Sequence, residues 1–237
     1  MRLLIHAMQS SGATAFTRML AERPGCLALT DIANNFAAPR ITTPLDFVAK
    51  AVITTAYPLA THVERFRPDR VVLLLRDPRD NYESLSTKLY RHHSGLMEEK
   101  FILLDQLFAE RQRFDAVVHY EDAVTPHPAV LAEMARLGWP VNPDWYRYTR
   151  SYDDILSSLW AAEPTLMSTM DTVFGNARGP CLSDRFRDKP RNPETETLLE
   201  ELCPRLLAHY RVRDAQKSAG NDPHGRAGVL HDIGTTS

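Results

Sequence analysis

The sequence predicts an α/β fold, with helices layered on both faces of a mostly parallel central sheet. Two observations carry this. Short apolar runs that read as strands alternate with segments of helical periodicity along most of the chain. The runs Arg2–Met8 and Val71–Leu75 are also nearly unbroken in apolar residues, as strands covered on both sides are. A chain of 237 residues suits one large domain of this class.

Arg2–Met8 (Arg-Leu-Leu-Ile-His-Ala-Met) is the expected first strand, and Gln9–Thr14 a small polar turn. Ala13–Arg23 places Phe16, Met19 and Leu20 at helical spacing and stops at Pro24-Gly25. Cys26–Leu29 reads as a short strand and Thr30–Pro39 as a loop. Thr43–Lys50, with Pro44 near its start, reads as a helix, and β-branched Ala51–Ala56 as a strand. Tyr57–Phe66 is helical or irregular. After the strand Val71–Leu75, a helix is expected over Asp80–Arg91. Glu98–Arg113 is amphipathic, with Phe101, Leu104, Leu107 and Phe108 on one side. Ala116–His119 is a strand and Pro128–Leu137 a helix ending at Gly138. Val141 to Asp171 is aromatic-rich and reads as irregular, and Asp171–Arg191 as a long loop. Thr195–Tyr210 is the expected closing helix. Residues 1–213 then form the domain and 214–237 a polar, flexible tail.

A net charge of −2 gives no bulk electrostatic reason to expect nucleic acid or a membrane surface as partner. The three cysteines, Cys26, Cys181 and Cys203, form no metal-ligand spacing, and their odd, sparse count fits a reducing compartment. The nine histidines form no zinc pattern, so no metal is expected. Leu3–Met8 is too short for a signal-peptide core, and no stretch reaches transmembrane length. The expectation is a cytoplasmic protein without a membrane span.

In a parallel sheet, ligands bind beyond the strand carboxyl ends. Two loops fall there. Gln9-Ser10-Ser11-Gly12-Ala13-Thr14 leads from strand to helix, with Gly12 permitting an unusual backbone angle. Backbone amides from Ser10 through Ser11, Gly12, Ala13 and Thr14 to Ala15 would face an anion at the helix N-terminus, and the Ser11 and Thr14 hydroxyls would add bonds. The loop lacks G-x-x-x-x-G-K-[ST], which argues against a kinase or nucleoside triphosphatase. The second loop is Arg76-Asp77-Pro78-Arg79-Asp80. Pro78 ends the strand, and the following helix turns Ser84 back toward Arg76. A guanidinium fork with a neutral hydroxyl suits a phosphate.

Together these residues resemble the sulfotransferase superfamily, whose sulfuryl donor is 3′-phosphoadenosine 5′-phosphosulfate, over roughly residues 1–211. Ser10–Thr14 resembles the 5′-phosphosulfate loop, commonly [RK]-S-G-T-T, and Arg76 through Ser84 matches the 3′-phosphate motif R-D-P-R-D-x-x-x-S. Lys88 matches a further basic position of some members. His119-Tyr120-Glu121-Asp122 resembles a strand-end segment whose Tyr approaches the nucleotide. Gly175–Pro180, with Arg178 and Gly179, falls where a loop closes over the 3′-phosphate and adenine, and Pro193–Tyr210 resembles the closing helix. The resemblance implies a P-loop-like form of the three-layer fold.

Sulfuryl transfer needs alignment of acceptor and leaving group, a cation for the developing charge, and a base for the acceptor proton. This chain departs from the family at two points. Ser10 replaces the basic loop residue, and Thr54-Thr55-Ala56 stands where the phenol and steroid branch carries K-T-H. The resemblance is therefore closer to the carbohydrate and tyrosylprotein branches, which place a carboxylate after the second strand. Asp31 occupies that region and is the candidate base, with His6 the second candidate. Arg18, Arg40, Lys50, Arg178 and Arg185 all remain candidates for the missing cation. The expected activity is transfer to a hydroxyl of a carbohydrate or small natural product. The alternative is a nucleotide-binding relative that has lost catalysis.

Overall fold

The computed structural model describes residues 1–32, 37–169, 181–184 and 190–220. Among the described residues five strands form one sheet: β1 (Arg2–Ala7), β2 (Leu27–Leu29), β3 (Phe47–Val52), β4 (Arg70–Leu75) and β5 (Ala116–His119). Their order is β2-β3-β1-β4-β5, and every pairing is parallel. β1 therefore lies at the centre, between β3 and β4. Its register sets Ile5 opposite both Lys50 and Val72.

Side chains alternate between two faces of the sheet. Leu3, Ile5, Val48, Val72, Leu74 and Val118 point to one face, where α1 (Ala13–Leu20), the short α5 (Tyr120–Ala123) and α6 (Pro128–Arg136) cover them. On the other face, Leu73 and Leu75 meet α3 (Pro78–Ser86), α4 (Met97–Ala109), α9 (Pro193–Leu202) and α10 (Pro204–Gly220). Leu4, Phe47 and Ala49 meet α2 (Leu59–Phe66) on that same side. α7 (Tyr152–Ala162) lies along the edge strand β2, and α8 (Pro164–Thr169) follows it. This is the expected α/β architecture, with parallel strands covered on both faces.

Several element boundaries differ from the sequence reading. The helix expected over Thr43–Lys50 is absent, because β3 begins at Phe47. Strand pairing on both sides overrides the local helical pattern there. Buried Glu163, which caps the end of α7, holds the preceding turn by accepting the amides of Thr42 at 2.6 Å and Thr43 at 2.5 Å. The expected strand Ala51–Ala56 accordingly ends at Val52. α3 starts earlier and ends earlier than Asp80–Arg91, since Pro78 occupies its first turn and Asp77 caps it. The aromatic segment read as irregular contains α7, which opens with a Ser151–Asp154 capping box. The closing helix is two helices divided at Cys203-Pro204. α10 runs on to Gly220, past the boundary expected at residue 213.

Candidate functional site

The first loop leaves β1 at the centre of the sheet. Ser10 and Gly12 both take left-handed backbone angles, φ +58° and +86°. Ser10 is a non-glycine residue in that region, a local strain of the kind found at binding sites. Gly12 caps α1 with no side chain, so the first-turn amides of Ala13, Thr14 and Ala15 are directed beyond the helix end. The Tyr120 ring lies against Gly12, where an added Cβ would come within 2.2 Å of it. Ser10 Oγ and Ser11 Oγ are both buried without a hydrogen-bond partner, and Ser11 is only 1% exposed. Buried hydroxyls normally find partners. Two orphans beside an uncapped helix N-terminus therefore fit an anion such as the sulfonate or phosphate of the expected donor.

The loop is held from below. Asn81 on α3 donates through Nδ2 to the Gln9 carbonyl at 2.6 Å, and Lys100 on α4 donates to Gln9 Oε1 at 2.7 Å. No sequence motif marks either residue, although the pattern of α4 points to Lys100. Met97, Lys100, Phe101, Leu104 and Phe108 share the buried stripe of α4, so a lysine stands in a core position.

The second loop leaves β4 beside the first. Arg76 NH1 donates to the Ser10 carbonyl at 2.8 Å, and the Arg76 guanidinium lies 5.7 Å from the Tyr120 ring centroid. The two loops are thus joined by a direct bond. The acidic residues of this loop serve the scaffold. Asp77 accepts Arg79 through a two-pronged contact at 2.9 and 2.7 Å and also accepts Arg191 at 2.9 Å. Arg191 reaches Asp80 at 3.3 Å. The Asp77 amide donates to Glu121 Oε1 at 2.8 Å, and Tyr210 donates to Glu121 Oε2 at 3.0 Å. Burial raises the Glu121 carboxyl above its ordinary pKa. Ser84 lies one turn beyond Asn81 on α3 and is half-buried, and Lys88 follows the end of that helix, also half-buried.

Asp31 follows β2 and pairs with Lys50 of β3, Oδ1 to Nζ at 2.6 Å. The same Nζ donates to Thr14 Oγ1 at 2.9 Å. Lys50 is 5% exposed and projects to the α1 side because β3 is a strand, not the helix expected there. It links the candidate base to the first turn of α1. The other candidate cations are placed differently. Arg18 is sandwiched between the rings of Tyr148 and Tyr152, 4.3 Å from each centroid. Arg40 is exposed. Arg178, Gly179 and Arg185 lie outside the described residues. Tyr120 OH donates to the Ser183 carbonyl at 3.0 Å, fixing the ring over Gly12.

His6 is packed rather than poised. It projects to the face opposite Lys50, with its ring centroid 5.8 Å from that of His62. Burial, then the neighbouring His62, lowers its pKa to about 3. His62 is lowered to about 4, chiefly by burial.

Two cavities lie apart from these loops. One, of about 530 Å³, adjoins the amino end of β2 near Pro24, Cys26 and Arg150. The other, of about 380 Å³, is lined by Phe108, Arg111, Val117, His119 and His209. Among the described residues no cluster of histidine, cysteine and carboxylate side chains could hold a metal, and no helix is long and apolar enough to cross a membrane. No protein-family model matches the chain, and no curated protein matches it.

Proposed function

We propose that this chain is a sulfotransferase that carries a sulfuryl group from 3′-phosphoadenosine 5′-phosphosulfate to a hydroxyl of a carbohydrate or small natural product. The observation that carries the reading is the pair of buried, unpartnered hydroxyls, Ser10 Oγ and Ser11 Oγ, at the uncapped start of α1. Arg76 borders that point through Ser10, and Lys50 borders it through Thr14. The sequence resemblance names the ligand, and the residues fit its anionic groups.

In this reading the Ser10–Ala15 loop binds the sulfonate end of the donor. Arg76, Ser84 and Lys88 take the 3′-phosphate, and Tyr120 lies beside the nucleotide. Lys50 is the cation that replaces the basic residue missing at Ser10. It stabilises negative charge on the leaving phosphate oxygen as the phosphate–sulfate bond breaks. Asp31 accepts the acceptor's hydroxyl proton as that oxygen bonds sulfur.

The ion pair of Asp31 with Lys50 favours a second reading, a nucleotide-binding protein without turnover, because the carboxylate oxygen that would take the proton is already held by Lys50 Nζ at 2.6 Å. One experiment separates the two. Labelled donor is incubated with a panel of carbohydrate and small hydroxylic acceptors, while affinity for adenosine 3′,5′-bisphosphate is measured by calorimetry. Label transfer supports the enzyme. Tight bisphosphate binding without transfer supports the binder. Absence of both discards the two together.

A further inference from the structure

Lys100 is 0% exposed, yet its ammonium meets no carboxylate in a salt bridge among the described residues. It donates to three neutral oxygens: Gln9 Oε1 at 2.7 Å, the Arg91 carbonyl at 2.8 Å and the His93 carbonyl at 2.9 Å. Those three bonds use all of its donors. A whole positive charge is thus buried on neutral dipoles, an arrangement that burial alone disfavours. The nearby titratable groups do not cancel it. The charge of Glu98 on the same helix favours the ammonium, but less than burial disfavours it. Arg91, His92 and His93 are contributed by the turn after α3, and Tyr82 of α3 packs on neighbouring Phe101. Directly above lies the first loop, with Gln9 Nε2, Ser10 Oγ and Ser11 Oγ buried and unpartnered.

We propose that Lys100 is the positioning residue of the anion site. It ties Gln9 of the first loop to the Arg91–His93 segment, and it holds beneath the loop a positive charge that an arriving sulfate or phosphate complements. The inference rests on reading the first loop as an anion site, not on sulfuryl transfer. One side chain then fixes both the first loop and the segment that follows Lys88, so the two halves of the site share a support.

The linkage is measurable. Burial lowers the Lys100 pKa to about 8, so near that pH part of the population is neutral. An anion overhead favours the charged form, and its binding draws a proton from solvent. Sulfate and adenosine 3′,5′-bisphosphate are titrated into the protein calorimetrically at pH 8, in two buffers of different ionisation enthalpy. Neither ligand changes protonation near pH 8. Binding should take up to about half a proton, and affinity should fall on the order of tenfold toward high pH. Lys100→Met, if folded by circular dichroism, should abolish the uptake and weaken sulfate binding on the order of tenfold. Gln9→Glu preserves the bond and keeps the ammonium charged throughout, so it too should abolish the uptake. Binding of either ligand to the unaltered protein without uptake overturns the proposal. Undiminished uptake in Gln9→Glu or in folded Lys100→Met does the same. Sulfate binding with uptake but no bisphosphate binding keeps Lys100's role and removes the sulfotransferase reading. Bisphosphate binding without uptake does the reverse, and no binding of either ligand overturns both.

Discussion

Replacing Gly12 with alanine tests the contact at the centre of the site. Gly12 holds φ +86°, a conformation that costs an L-residue about 1–2 kcal/mol. The new Cβ would stand 2.2 Å from Tyr120 Cε2 and 2.5 Å from Cζ, so the ring must withdraw. It has little freedom to do so, being 4% exposed and bonded through its hydroxyl to the Ser183 carbonyl. Overpacking of this kind adds about 1–3 kcal/mol. The two costs together give roughly 2–5 kcal/mol, or about 5–15 °C in melting temperature for a domain of this size. Urea unfolding of the single variants and of Gly12→Ala/Tyr120→Ala forms a double-mutant cycle. Without the ring, Gly12→Ala should cost only its backbone share, about 1–2 kcal/mol. If Gly12→Ala costs the same with and without the Tyr120 ring, the ring is not what demands a glycine, and the geometry drawn for the loop is wrong.

Three further outcomes are expected. Lys50→Met should lower stability by about 1–3 kcal/mol, less than for a fully buried pair because the Asp31 side chain is 21% exposed. In the proposed reaction it should also reduce transfer far more than bisphosphate affinity, and equal losses would remove Lys50 as the leaving-group cation. Asp31→Asn should reduce turnover by roughly 10²–10⁴-fold with donor affinity retained, and full activity would remove Asp31 as base. Stability should also fall in mild acid. His6 and His62 have folded pKa values of about 3 and 4 against an ordinary 6.5, so below pH 6.5 the unfolded chain gains protons that the folded chain refuses. Each ring should cost about 2 kcal/mol between pH 7.5 and 5 in urea titrations, and His6→Gln should flatten the slope.

The sequence revealed the layers and the two loops, because these depend on local signals. Apolar runs marked β1, β4 and β5, and Pro78 marked the turn after β4. What it hid depends on contacts between distant segments. Thr43–Lys50 looked helical in isolation, yet Phe47–Val52 pairs with strands on both sides and became β3. That one change decides where Lys50 points, which is why it was only one of several candidate cations in the sequence. The Arg18 side chain illustrates the same limit. One turn from Thr14, it looked available to an anion, but Tyr148 and Tyr152, far along the chain, enclose it. Asp77, Arg79 and Asp80 sit in a motif suggestive of ligand binding, yet their charges are satisfied by one another and by Arg191.

The bonds that converge on Gln9 also bear on how the chain reaches its final state. Asn81 and Lys100 meet it from elements separated by long stretches of sequence, and β1 pairs with strands that are both distant along the chain. Contacts of such separation form slowly, after loop-closure entropy has been overcome. A partly assembled chain, with the sheet begun but α4 not yet docked, would present the Ser10–Thr14 turn without its supports. Under the proposed anion-binding role of that loop, anions would favour only the finished molecule, and raising their concentration should slow unfolding and deplete partly folded species.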